Sequence, residues 1–568
     1  LMPPAPPVSP ISLLWPPEAH SCAPDAPRLS PEAAADLDLD SVHRALSASP
    51  GDQRAVYAAL ASLCADPNVI AYRQAVLEDL LNAPELLARL EALLPAMRSV
   101  ERFRYSARPG QTPLHEVVWR VGQLEAYVEC VRGLNEAFAG QGAVESSALV
   151  RLREQAARAA QDSLFAQLER ELPEMVKAVR SVASITIGVN LDDQLRPVGA
   201  ALIDIHDRPF RADRPSLFAA LFGGDQQDGQ AILGPLHSIP RERSAQHPSG
   251  VDFTNPLLYP LFRDLAQVLK HASRPVARAL QRFVNVGVTF FAALHADLAF
   301  YVGAVRLIER LRAAGLPVCR PEIAPVDERA CQIADAYNLT LALRALAEDS
   351  ADRIVTNDIR FDDAGRIFIL TGPNQGGKTT YAQAIGLAQV LAQAGLYVPG
   401  TRARISPVDA IYTHFPAEEA PGTEAGRLGE EATRLNAIFG QATRASLVIL
   451  NESLSSTSAG ESLYLAVDLV RILRLLGARA VFATHLHELA NEVGALNAEP
   501  GDSPVASLVS LVEEHASESG PRILQTYRIV PGPPRGRSYA REIAARYGIS
   551  YEQLRDRLRA RGLLDGDA

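Results

Sequence analysis

Eight residues, Gly372-Pro373-Asn374-Gln375-Gly376-Gly377-Lys378-Thr379, constrain this chain more than any others. They have the spacing G-x-x-x-x-G-K-[ST], follow the apolar stretch "RIFILT", and lead into "TTYAQAIGLAQVLAQAG", a run of helix formers. Glycines at these places let backbone N–H groups turn inward around a phosphate. The lysine reaches the terminal phosphates and the threonine hydroxyl ligates Mg²⁺. A chain built around this turn needs a strand entering it and a helix leaving it.

The surrounding pattern agrees. "SLVIL" runs into Asn451 and "ARAVFATH" ends at His485, each before a further helical run. Strands alternating with helices predict a doubly wound, largely parallel sheet, whose carboxyl edge would face the nucleotide. Glu452 is the candidate base that orients an attacking water, and His485 the candidate sensor of the γ-phosphate. Asn451 stands where a hydrolysing protein of this kind normally carries Asp.

The 568 residues leave room for three or four domains, and 47% apolar content allows several cores. Residues 1–30 are rich in Pro and fit neither a secretory signal nor a transit peptide. Residues 31–345 read as a mostly helical core and lever, with one stripe through Leu149, Leu152, Ala156, Ala160, Leu164, Leu168 and Leu172 that breaks near Pro173. Within it, "SITIGVNLDDQLRPVGAALIDI" predicts a strand pair opening an irregular tip over about 185–256, after which helices resume. Residues 346–568 read as an α/β P-loop domain. Its tail, about 536–562, predicts two short helices joined near Gly548, with Ser550 as an N-cap.

No window approaches eighteen uninterrupted apolar residues, so a cytoplasmic protein without a membrane partner is expected. Five scattered cysteines fit reduced, packed thiols better than a disulfide frame or a zinc site. The net charge of -10 requires any nucleic-acid contact to be local.

"TGPNQGGKTTYAQAIGLAQVLAQAGLYVP" and "SLVILNESLSSTS", with "FATHLHELA" beyond, resemble the ATPase domain of the MutS mismatch-repair family. More loosely, "YRQAVLEDLL", "ITIGVNLDDQLRP" and "DAYNLTLAL" resemble the core and lever of shortened MutS paralogues. The resemblance implies a multidomain fold with an ABC-type ATPase domain, a homodimer with two composite sites for ATP and Mg²⁺, and levers that embrace a DNA duplex. Gly372, Pro373, Asn374, Gln375, Gly376, Gly377, Lys378, Thr379 and Thr380 would then hold the nucleotide. Thr379 and Asn451 would hold the metal, and Glu452, Lys378 and His485 would carry catalysis. Ile354, Tyr527 and Arg528 would flank the base.

Three departures stand against that pattern. Asn451 removes a negative charge from the Mg²⁺ shell, Gly426 falls where the family offers a serine to the partner's γ-phosphate, and Ser455 falls where it carries an arginine. Lys378, Thr379 and Glu452 all persist, so the expectation is an altered, slow ATPase. No Phe-x-Glu mismatch-reading element is found, which points toward branched or damaged duplexes. Basic clusters occur at Arg98, Arg102, Arg104 and Arg108, at Arg208, Arg211, Arg214, Arg241 and Arg243 of the tip, and at Arg535, Arg537, Arg541, Arg546, Arg555, Arg557, Arg559 and Arg561. Acids offset the tip cluster, and helix faces or, in the tail, a dimer interface account for the others better than nucleic acid does. The rival reading is a nucleotide-gated binding module with negligible turnover, acting on structured RNA or ribosomes.

Overall fold

The computed structural model describes residues 11–19, 27–47, 49–104, 113–140, 142, 144–180, 184–206, 208, 288–416, 426–517, 520–534 and 548–561. The chain divides into two compact units. The first comprises Leu1–Glu91, Gly140–Leu152 and Ala296–Ala568, the second Ala92–Ala139 and Arg153–His295.

The described chain opens with helices α1 (Pro31–Asp36), α2 (Leu39–Leu46), α3 (Gln53–Leu60), α4 (Pro67–Asn82), α5 (Pro84–Arg104), α6 (Pro113–Phe138), α7 (Ser147–Gln161) and α8 (Ser163–Arg180). The predicted strand pair follows as β1 (Ser184–Leu191) and β2 (Pro197–His206), an antiparallel hairpin. Asp192 closes its turn by accepting from the N–H groups of Gln194 and Arg196. Most of the tip, and the helix expected over "LLYPLFRDLAQVLKHA", lie outside the described residues.

Helix α9 (Val288–Ala313) leads to β3 (Val318–Cys319), β4 (Glu322–Ile323), β5 (Cys331–Ala336), α10 (Leu339–Ala347), β6 (Asn357–Phe361) and β7 (Ile367–Thr371). The Gly-rich loop and α11 (Lys378–Gln393) come next. After them run β8 (Val398–Pro399), β9 (Arg402–Ile405), β10 (Ile411–His414), α12 (Gly426–Phe439), β11 (Leu447–Asn451), α13 (Ala459–Leu476), β12 (Arg479–Ala483), α14 (His487–Asn491), α15 (Val493–Ala498), β13 (Val505–Ser517), β14 (Gly520–Pro531) and α16 (Tyr551–Ala560).

In the first unit, a six-stranded sheet has the order β10-β11-β12-β7-β13-β14. Its first five strands are parallel and β14 closes the edge antiparallel. Strands β7, β11 and β12 are buried throughout, as continuous apolar runs in a parallel sheet must be. Ile367, Ile369, Val448, Leu450, Ala480 and Phe482 pack there with Ala466, Val470 and Leu473 of α13. The carboxyl ends of the same three strands deliver Thr371, Asn451 and Ala483 to one edge. A smaller sheet, β4-β9-β5-β6, draws two strands from the stretch read as helical. Strand β5 pairs with β6 and β9 over long sequence separations, which leaves no local helix-or-strand signature.

The Pro-rich start supplies part of this core. Ser12 Oγ and the Leu13 N–H donate to Asp297 on α9 at 2.8 and 2.7 Å. Tyr301 donates to Leu13 O, and Arg73 Nε donates to Leu14 O while stacking over Trp15. Arg73 Nη1 also donates to Gln393 O, at the last residue of α11.

In the second unit, Tyr127 of α6 meets Phe165 of α8 and Phe291 of α9 edge-on. Arg132 and Glu169 pair across α6 and α8. The apolar stripe breaks at Asp162, not at Pro173. Asp162 caps α8 by accepting from the Leu164 N–H at 2.6 Å, and Pro173 sits inside the helix. Leu164 consequently leaves the stripe and is exposed. Phe290–Ala313 is long and apolar enough to cross a membrane, but 78% of its most apolar window is buried within the protein, as a core helix would be. The four described cysteines are unpaired, and no cluster of metal-ligating side chains occurs among the described residues.

Candidate nucleotide site

The Gly-rich loop leaves β7 and enters α11 through backbone shapes that side chains resist. Gly372 has φ +145°, Gln375 +63° and Gly377 +87°, the last at the N-cap of α11. A side-chain carbon on Gly372 would lie 2.7 Å from Ser510 Cβ, and one on Gly376 would lie 2.6 Å from Ser510 Oγ. Ser510 Oγ donates to Gly376 O at 2.6 Å, so β13 buttresses the loop from below. Gln525 Nε2 donates to Asn374 O, and Asn338 Nδ2 to Thr380 O at 3.0 Å.

Lys378 opens α11 and is 5% exposed. Its Nζ donates to Gly372 O at 3.0 Å and Pro373 O at 3.1 Å, and stands 3.6 Å from Glu452 Oε1 and 3.5 Å from His485 Nδ1. Burial pulls its pKa below the ordinary lysine value, and Glu452 opposes that shift. Glu452 Oε1 also lies 3.1 Å from His485 Nε2. Lysine, glutamate and histidine, 107 residues apart at the extremes, thus meet at one point. Thr379 Oγ1 donates to Asn451 Oδ1 at 3.0 Å, with Asn451 4% exposed.

This donor set suits phosphate and Mg²⁺. Helix α11 has no side-chain cap, so its first-turn N–H groups are free of a competing side chain and suited to an anion. One buried ammonium points into the same turn, and a hydroxyl and an amide oxygen form a hard oxygen pair for a cation.

Of the positions proposed to flank the base, Tyr527 comes against the loop: its ring lies 3.5 Å from where a Gly377 side chain would begin. Tyr527 holds φ +57°, fixed by Asn357, which donates to Tyr527 O and accepts from the Ile529 N–H. Arg528 is exposed and Ile354 half-buried. Gly426 begins α12, and Ser455 is exposed beyond Glu452. Of the basic clusters, Arg98, Arg102 and Arg104 lie on α5, Arg208 follows β2, and Arg555, Arg557 and Arg559 lie on α16 with Arg561 after it. Arg108, Arg211, Arg214, Arg241, Arg243, Arg535, Arg537, Arg541 and Arg546 lie outside the described residues.

Sequence reasoning missed Ser510, Asn357, Ser453 and His414. Their hydrogen bonds join segments far apart in the chain, and no spacing rule marks such residues.

Comparison with known proteins adds two family matches. A model of the MutS2 N-terminal domain matches residues 65–314, and a model of MutS domain V matches residues 368–553, which enclose the whole constellation from the loop to Tyr527. The chain belongs to the MutS family. Its domain order is MutS2-like. It is similar to the DNA mismatch repair protein MutS of Chlorobium phaeovibrioides (strain DSM 265 / 1930), 28% identical over 518 residues, 88% of this chain and 55% of that protein. The DNA mismatch repair proteins MutS of Chlorobium limicola and Lactobacillus helveticus are 35% and 30% identical over 215 and 208 residues. Those alignments cover 37% and 36% of this chain and 23% of each relative. The chain therefore spans about half the length of the first MutS relative and under a quarter of the others.

Proposed function

We propose that this MutS-family chain is a Mg²⁺-dependent ATPase that binds DNA, and that as a homodimer in the cytoplasm it clamps branched or damaged duplexes during repair or recombination control. The observation that carries the reading is the convergence of Lys378, Glu452 and His485 at the head of α11. Residues 346–568 would form the ATPase domain and the tail, about 536–562, part of the dimer contact.

Bound Mg²⁺–ATP would supply the transferable γ-phosphoryl group and the divalent charge that offsets its oxygens. Lys378 would exchange its two carbonyl partners for phosphate oxygens, whose negative charge favours the ammonium form that burial disfavours. The loop from Gly372 to Thr380 would present backbone N–H groups. Thr379 and Asn451 would hold the cation. Glu452, steadied by His485, would accept a hydrogen bond from the attacking water and hold it in line. His485 is 43% exposed on its side chain, and so can respond to an arriving anion.

The test is ATP turnover by the full chain with Mg²⁺, alone and with linear or branched duplexes, using Glu452→Gln as background. Turnover abolished in that variant and stimulated by branched DNA supports the proposal. Tight nucleotide binding with turnover no greater than in Glu452→Gln would replace it with a nucleotide-locked binding module.

A further inference from the structure

His414 lies outside the loop, lysine and glutamate, yet its side chain reaches the residue next to the glutamate. It ends β10, the strand beside β11, and is 1% exposed. Its Nδ1 is 2.7 Å from Ser453 Oγ, and that hydroxyl lies 3.3 Å from the His414 carbonyl. Ser453, 3% exposed, directly follows Glu452. Glu452 itself has φ +50° and donates its N–H to Ala483 O at 2.8 Å. A non-glycine residue in that region persists only where its surroundings over-determine it. Here β12 holds the turn on one side and His414 holds it on the other.

We propose that His414 is a positioning residue for Glu452, acting through Ser453 to fix the left-handed turn that aims the carboxylate at Lys378 and His485. Its seat is rigid. Thr413 donates to Asp36 of α1 at 2.6 Å, and Arg434 of α12 donates to Phe415 O and stands 3.8 Å from Asp36. Burial, with Arg434 nearby, pushes the imidazole down to about 4, so it serves as a neutral hydrogen-bonding group. The consequence for turnover rests on the reading of Glu452 as the water-orienting group. The geometric claim does not.

The experiment uses the nucleotide-free full chain with ring-¹⁵N-labelled histidine. In His414→Ala the His485 ring signals should shift, because the 3.1 Å contact with Glu452 loosens. His414→Asn, whose amide occupies the place of Nδ1, should retain the wild-type His485 signals. Ser453→Ala, a gentler change, should reproduce the shift and add nothing to His414→Ala. In parallel, kcat should fall by roughly ten- to a hundredfold in His414→Ala, the size expected of a misplaced group, with KM nearly unchanged and partial recovery in His414→Asn. Unchanged His485 signals in both folded alanine variants would overturn the proposal. The predicted shifts in a protein whose wild type does not hydrolyse ATP would support the positioning claim while refuting the ATPase reading.

Discussion

Replacing Asn451 by Asp restores one negative charge at nearly constant shape, and the structure fixes what that charge should do. Asn451 Oδ1 accepts from Thr379 Oγ1 at 3.0 Å and is 4% exposed, so the new carboxylate would sit where water cannot screen it. A neutral hydrogen bond contributes about 0.5–1.5 kcal/mol and one to a charged group about 1.5–3 kcal/mol. The gain toward a metal and its water shell is therefore roughly 1–1.5 kcal/mol, or about five- to tenfold in affinity. Without metal the sign reverses, because the carboxylate is buried with little compensation and repels phosphate. Titration of a fluorescent ATP analogue should show Asn451→Asp binding five- to tenfold more tightly with MgCl₂ and more weakly in EDTA. Equal shifts in the two buffers, or none, would refute the assignment of Asn451 to the metal site.

Lys378→Ala removes charged hydrogen bonds of about 1.5–3 kcal/mol each, so nucleotide affinity should drop at least about tenfold in the same titration. Asp297→Ala strands the Leu13 N–H in the core and takes the acceptor from the half-buried Ser12 hydroxyl. At about 1–3 kcal/mol for the buried orphan, this should lower the thermal midpoint measurably. His414 is depressed from 6.5 to about 4, so the unfolded chain takes up a proton that the native one refuses. Stability should thus fall as pH drops below 6.5, by about 2 kcal/mol at pH 5 and about 3 near pH 4. Asp36, raised by burial, works in the opposite sense as pH falls. Denaturation midpoints at pH 7.5 and 5 should show the acid loss in wild type and a smaller one in His414→Asn.

Local rules made some parts of this molecule legible and left others hidden. The Gly-rich turn between β7 and α11 could be read because its backbone needs glycine at fixed places between a strand and a helix. Strands β7, β11 and β12 could be read because burial on both faces forces unbroken apolar runs. The hairpin Ser184–His206 and the capping box at Ser550 are likewise short-range patterns. By contrast, the helix break went to Asp162, since a cap decides a boundary as firmly as a proline does. Strand β5, Ser510 under the loop and His414 behind Ser453 each depend on a partner brought close only by the finished fold.

The tie between Ser12 and Asp297 sets a clock on synthesis. Its two halves are 285 residues apart. At about 5–20 residues per second, the growing chain carries Ser12 to Trp15 for roughly 15–60 s before Asp297 and Tyr301 exist to receive them. Arg73 waits still longer for Gln393, 320 residues on. For that interval Leu13 and Trp15, an apolar stretch between prolines, have only the partners that α4 supplies, Arg73 over Trp15 and against Leu14 O, and the neighbouring prolines discourage the stretch from adding to a foreign sheet edge. The ties to Asp297 and Tyr301 can form only after α9 has been made, so the full docking of this segment marks a late step in assembly.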